Sequence, residues 1–165
     1  MEIIYNYLPS YQFKQLQSMV MESQFAWFYN TGTCFNEDPF PQMIHMFYRL
    51  ESENGRDVVN DPSPMGEMIR NVIKCKNLVR VKGNLNPRTV FHRKTGWHTD
   101  LEMMGPHQTA VYYINTNNGW THFKKGGKVK CVENRLVTFD SNLEHAGVTC
   151  TDQKRKVVIN FNYER

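Results

Sequence analysis

The chain has 165 residues, the length of one domain with room for a real core. With 40% apolar and 22% charged residues it is not globally disordered, and no run approaches the ~18 apolar residues of a membrane span. The 20 Lys and Arg exceed the 16 Asp and Glu by a net +4, which permits an acidic partner without demanding one. There is no block of five like charges; Lys124-Lys125 and Lys154-Arg155-Lys156 are short.

The start, Met1-Glu2-Ile3-Ile4-Tyr5, has no basic segment leading into an apolar core, so no signal peptide is expected. The four cysteines, Cys34, Cys75, Cys131 and Cys150, form no CxxC. Four reduced thiols in a cytoplasmic protein are the expectation, not a zinc site or a disulfide framework.

In chain order, residues 8–10 open a helix that the spacing of Phe13, Leu16, Met19 and Val20 carries to about residue 28. Gly32, Asn36, Pro39 and Pro41 mark a loop. The wider stretch 30–60 is long enough to serve as a lid over a site, the alternative being an ordinary surface connection. Asp61-Pro62-Ser63-Pro64 suits the start of a second helix to about residue 74, with Met65, Met68, Ile69 and Val72 on one side. From residue 77 the pattern changes. Short β-branched and aromatic runs at 78–81, 89–92, 109–114, 120–123, 128–132, 135–139, 146–150 and 157–163 alternate with turn signals such as Asn117-Asn118-Gly119 and Gly126-Gly127. The expected organisation is one domain over 1–165. Residues 1–76 form a helical and irregular support, and 77–165 form a β sandwich, jelly roll or barrel.

The segment that carries chemistry is Gly96-Trp97-His98-Thr99-Asp100. In an extended chain, residues two apart share a face, so His98 and Asp100 project together. They supply two parts of a 2-His-1-carboxylate triad, the open-sided ligand set of non-haem Fe(II) oxygenases. By itself H-x-D is a weak signal, equally the mark of a surface His–Asp pair. The third ligand expected is His145, 45 residues beyond Asp100, followed two residues on by Gly147, which suits a crowded site. His45, His92, His107 and His122 compete with it. Only His145 is followed ten residues later by an arginine that opens an apolar strand, Arg155. In that strand the odd residues, Val157, Ile159, Phe161 and Tyr163, are the apolar ones. Arg155 is therefore expected at the edge of the buried face, where a guanidinium needs an anion: an internal carboxylate or a ligand's. Trp97 and Trp120 read as core aromatics near the mouth of the site, the alternative being contact with substrate. No GxGxxG, P-loop, GxSxG or HExxH is present, so nucleotide, serine-hydrolase and zincin readings have no support.

Together, His98-Thr99-Asp100, Thr109-Ala110-Val111-Tyr112-Tyr113-Ile114-Asn115, Gly119-Trp120-Thr121-His122-Phe123, Asn134-Arg135-Leu136-Val137-Thr138-Phe139, His145-Ala146-Gly147 and Arg155 resemble, in order and spacing, the Fe(II)- and 2-oxoglutarate-dependent oxygenases. Most similar are the small prolyl-hydroxylase-like members, some encoded by bacteriophages. The resemblance covers residues 77–163, about half the chain. It implies a mainly β double-stranded β-helix, or jelly roll, with N-terminal helices outside. It implies Fe(II) on His98, Asp100 and His145, and 2-oxoglutarate with its 5-carboxylate on Arg155 and Tyr113, with ascorbate as reductant. Tyr113 is otherwise a core aromatic with a satisfied hydroxyl. Asn84 lies where the family often places another co-substrate contact. The activity implied is hydroxylation coupled to decarboxylation of 2-oxoglutarate, in the cytoplasm, of the host if the chain is phage-encoded. A protein or peptide side chain, proline first, is the leading substrate, followed by a free amino acid or other small molecule. Nucleic acid ranks behind these, because the nucleobase-repair subgroup carries a second arginine six residues after the first, where this chain has Phe161. Asp100 disfavours halogenation, whose enzymes lack that carboxylate. A non-catalytic jelly-roll binding module is the reading from another class.

Overall fold

The computed structural model describes residues 1–32, 41–51, 56–100 and 107–164. In chain order these form β1 (Glu2–Ile4), α1 (Ser10–Met21), β2 (Phe28–Asn30), β3 (Gln42–Glu51), β4 (Arg56–Val59), α2 (Pro64–Arg70), β5 (Asn77–Pro87) and β6 (His107–Tyr113). There follow β7 (Trp120–Phe123), β8 (Gly127–Lys130), β9 (Arg135–Asp140), β10 (His145–Val148) and β11 (Arg155–Glu164). A major sheet runs β1-β9-β6-β11-β5-β3-β2, with β4 beside β3, and a minor sheet runs β10-β7-β8. Residues 94–98 extend the minor sheet along β10 through bridges Lys94↔Val148 and His98↔His145. The result is a mainly β jelly roll, or double-stranded β-helix, with helices on the outside of the major sheet.

The major sheet is buried on both faces, so the molecule has two cores. Between the sheet and the helices lie Val157, Ile159, Phe161 and Tyr163 of β11, with Tyr112 and Leu136, against Phe13, Leu16 and Val20 of α1 and Ile69 of α2. Between the two sheets lie Val111, Tyr113, Val137, Phe139 and Val158, against Phe123 and Val129 of the minor sheet. The first is larger and more apolar. The second is interrupted by polar groups and holds the site.

Local chemistry sets the ends of the elements. Ser63 caps α2 by accepting from Gly66 N at 3.1 Å, with Pro64 at the first helical position. Asn134 takes the left-handed conformation (φ 57°) that its short amide tolerates. From there it exchanges hydrogen bonds with the backbone of Leu8 and accepts from the Tyr112 hydroxyl, tying the chain start to β6. Gly126 and Gly127, at φ +126° and +83°, make the β7–β8 turn that the Gly-Gly pair predicts.

The first third differs from its sequence expectation. Helix α1 stops at Met21, and α2 is shorter than residues 62–74. Residues 42–51 form a ten-residue strand in the middle of the sheet's β5 side, not a lid. Pairing with β5 overrides their lack of clean alternation. The rest of the 30–60 expectation falls partly on residues 33–40 and 52–55, outside the described residues. Residues 89–92 are not a strand: the Thr89 hydroxyl donates to Phe91 O, closing a turn that leaves Val90 and Phe91 exposed. Among the described residues no helix is long and apolar enough to cross a membrane. Cys75, Cys131 and Cys150 are free thiols, and burial pushes all three thiol pKa values up.

Candidate metal centre

The bridge between residues 94–98 and β10 sets His98 directly opposite His145, with reciprocal backbone bonds of 3.0 and 2.9 Å. Both side chains point between the sheets, ring centroids 4.4 Å apart. Each ring is oriented through Nδ1, which donates to a nearby carbonyl: Gly96 O at 3.2 Å for His98 and Leu143 O at 3.0 Å for His145. That tautomer leaves each Nε2 as a lone-pair donor facing Asp100. His145 Nε2 lies 3.6 Å from Asp100 Oδ2, and His98 Nε2 lies 4.0 Å from Oδ1. The three expected ligands therefore meet, one donor atom from each within 4.8 Å of the others. His45, His92, His107 and His122 lie elsewhere. His45 bonds Ala26 O and Asp61, His92 bonds Thr149 O, His107 lies 4.0 Å from Glu164, and His122 packs on Trp97.

Asp100 tests whether a cation fits. Its side chain is 4% exposed. Burial alone would raise its pKa, but His145, Arg80, His98 and a hydrogen bond from Thr109 outweigh burial and hold the carboxyl below its usual range. Arg80 donates to Asp100 O and Oδ1 at 3.2 and 3.3 Å, and its Nε is fixed by Asn162 Oδ1 at 2.9 Å. Oδ2 has no hydrogen-bond partner. A buried carboxylate oxygen without a donor, aimed at two imidazole lone pairs, is unfavourable unless a cation sits among them. Two imidazole nitrogens and one carboxylate oxygen form a donor set suited to Fe(II).

Beside His145 a cavity of about 70 Å³ runs between the sheets, past Gly147, Thr121, Asn84 and Asn160 to Lys156. The side-chain oxygens of Asn84 and Asn160 have no partner, so the walls offer unused amide polarity. Lys156 is 3% exposed, and its ammonium donates to Trp120 O and Val148 O at 3.0 and 2.9 Å. Among the described residues no carboxylate pairs with it. Its remaining donor faces the Cys131 thiol, so the charge of this buried ammonium is balanced by no anion of its own, and an anion entering the cavity would balance it.

Arg155 is not in this cavity. Its guanidinium lies on the opposite face of β11 and donates to Met21 O at the end of α1. The sequence expectation equated the more apolar face of the last strand with the site. That face packs on the helices, and alternation turns the neighbouring Lys156 into the cavity that His145 lines. The signal that pointed to Lys156 was the even face itself: Lys156, Asn160 and Asn162 are polar in a strand with both faces covered. Arg80 was missed too, since nothing local in residues 77–81 marks it. Tyr113 lies on the inner face, fully buried, and its hydroxyl donates to Thr121 Oγ1 at 2.7 Å. Burial drives its pKa far up, so it stays a neutral donor. Trp97 and Trp120 are on the outer face of the minor sheet, not in the core between the sheets.

No protein-family model matches the chain, and no curated protein matches it in sequence. Solved structures do match in fold. An oxidoreductase of the 2OG-Fe(II) oxygenase family from Burkholderia pseudomallei aligns over 99% of this chain and 85% of its own, with a TM-score of 0.72 at 10% identity. A prolyl-4-hydroxylase from Pseudomonas putida aligns over 99% and 92%, with a TM-score of 0.62 at 16% identity. HygX from Streptomyces hygroscopicus, with nickel and 2-oxoglutarate bound, aligns over 98% and 81%, with a TM-score of 0.60 at 10% identity. The fold is thus that of the 2OG-Fe(II) oxygenases.

Proposed function

We propose that the chain is an Fe(II)- and 2-oxoglutarate-dependent dioxygenase that hydroxylates a protein or peptide side chain, proline first among them. One observation carries the reading. The orphaned Asp100 oxygen and two oriented histidines meet at one site, and the cavity that His145 lines also holds Lys156, a buried cation with no carboxylate partner among the described residues. When bound, iron with 2-oxoglutarate and O₂ supplies the oxidation: one oxygen atom enters succinate as CO₂ leaves, and the other becomes the hydroxyl of the product.

His98, Asp100 and His145 hold the metal, and no side chain need act as acid or base. Lys156 takes the distal carboxylate of 2-oxoglutarate in place of Arg155, the carboxylate replacing the Cys131 thiol as partner of its third N–H. Thr121 Oγ1 already accepts from Tyr113, which leaves the Thr121 hydroxyl proton to donate into the cavity; Tyr113 thus orients a donor to the same carboxylate. Phe139 and Phe123 flank His145 and keep water from its ring. Ascorbate would serve as the reductant that keeps bound iron ferrous, and the free thiols Cys75, Cys131 and Cys150 suit a reducing cytoplasm. The preference for proline is drawn from the sequence resemblance and from the prolyl-4-hydroxylase with the same fold.

The test is succinate release by protein reconstituted with Fe(II), 2-oxoglutarate and ascorbate, with Pro-rich peptides screened by mass for gain of an oxygen atom. The expected result is iron-dependent succinate formation that His145→Ala abolishes. Silence, with no binding of 2-oxoglutarate, would make the chain a jelly-roll binding module without the chemistry.

A further inference from the structure

The outer face of the minor sheet carries a pattern that the metal centre does not use. Register places Trp120 opposite Lys130 and Val148, and His122 opposite Lys128 and Ala146. The 94–98 segment adds Lys94 opposite Val148, with Trp97 beyond Ala146. Opposed residues share a face, so this surface has a strip of partly exposed rings, Trp97, Trp120 and His122, between two cationic edges. Lys94 forms one edge, and Lys128 and Lys130 form the other, all three exposed. Three strand spacings separate the edges by roughly 14 Å. The ammonium groups reach inward over the rings: Lys94 Nζ lies 4.1 Å from the Trp97 centroid, and Lys128 Nζ lies 5.0 Å from that of Trp120. Among the described residues, two carboxylates near the ends of this sheet are already engaged. Glu144 pairs with Lys124, and Asp152 accepts from Asn118 N.

We propose that this face binds single-stranded nucleic acid, phosphates on the lysine edges and bases on the aromatic strip. Charge complementarity requires a polyanion, since this face has three ammonium groups and no carboxylate among the described residues. The rings select a nucleic acid over an acidic peptide: each base brings a π-face that can replace an ammonium over Trp97 or Trp120, freeing that lysine for phosphate. The shape selects a single strand. Among the described residues the face is a short sheet with no helix or ribbon projecting from it to enter a duplex major groove, and sheet faces read unstacked bases. The inference is independent of the proposed oxygenase activity.

The experiment is fluorescence anisotropy of a labelled oligo-dT with the full chain, metal-free, at 50 and 200 mM salt. Three phosphate contacts should give a log–log salt slope of about −2, a weakening of roughly 20-fold over that range. Intrinsic Trp fluorescence should be quenched on binding. The triple variant K94Q/K128Q/K130Q should weaken binding at least about tenfold and flatten the slope. A charge-matched triple variant, K14Q/K74Q/K76Q, should change it less than about threefold, because those lysines lie off this face. The proposal is overturned by absent binding at 50 mM salt, by equal losses in the two triple variants, or by equal affinity for duplex DNA or poly-glutamate. Circular dichroism of both variants separates lost binding from lost fold.

Discussion

The two faces of β11 differ in what they do. The odd residues, Val157, Ile159, Phe161 and Tyr163, face the helices in a nearly dry core. The even residues, Lys156, Val158, Asn160 and Asn162, face the minor sheet and the metal centre. One face secures the fold. The other accepts buried polar groups, which cost stability unless satisfied and so mark where a ligand is held. A strand between two cores cannot be read by asking which face is apolar, because both are inside.

Substitutions should separate the faces. The largest effect is expected from Phe161→Ala on the helix side. Emptying a fully buried phenylalanine should cost about 3–5 kcal/mol in denaturant unfolding. Metal affinity of the protein that remains folded should be unchanged, and a matching loss of that affinity would show the faces to be coupled. On the cavity side, Arg80→Gln should leave the melting temperature within a few degrees but weaken Co(II) or Fe(II) binding about 10–100-fold, because Asp100 loses the guanidinium that orients it. Calorimetric titration with the metal reads this directly. An unchanged affinity would reduce Arg80 to a surface contact. Arg80→Lys should not rescue, since a single ammonium lacks the guanidinium fork that bonds Asn162 Oδ1 together with Asp100 O and Oδ1.

A smaller effect belongs to the helix side again. Asp61 precedes α2, accepts from Ser63 N at 2.9 Å and lies 3.2 Å from His45 Nε2. Burial would raise its pKa, but its bonds to Ser63 and the His45 charge hold it below the usual carboxylate range. A folded-state pKa below the unfolded one adds stability that is fully present above the ordinary carboxylate pKa and lost as pH falls through the folded value. Unfolding curves should therefore show a stability loss below about pH 4 that Asp61→Asn removes, at a cost of about 1 kcal/mol at neutral pH. An unaltered acid limb in the variant would place that loss in other carboxylates.

Much of this was legible from residue order. The triad follows from one period-2 step, His98 to Asp100, plus a histidine followed by glycine, and the turn at Gly126-Gly127 declares itself by residue type. Two things were not legible. The residues of β3 lack regular alternation, and only pairing with β5 makes them a strand. Nor was it legible which of two adjacent cations, Arg155 and Lys156, faces the cavity, because that depends on which core lies on which side of the sheet. That is a tertiary fact, hinted at only by the asparagines that share Lys156's face.

The most direct measurement is anaerobic calorimetric titration of 2-oxoglutarate into metal-loaded wild type, Lys156→Met and Arg155→Met. Losing a buried charged donor to a carboxylate should cost about 2–4 kcal/mol, so Lys156→Met should weaken binding on the order of 10²–10³-fold without unfolding the protein. Arg155→Met, which removes only a contact with Met21 O, should bind within a few-fold of wild type. The reverse, loss in Arg155→Met with Lys156→Met intact, would contradict the assignment of the cavity side of β11 as the co-substrate face.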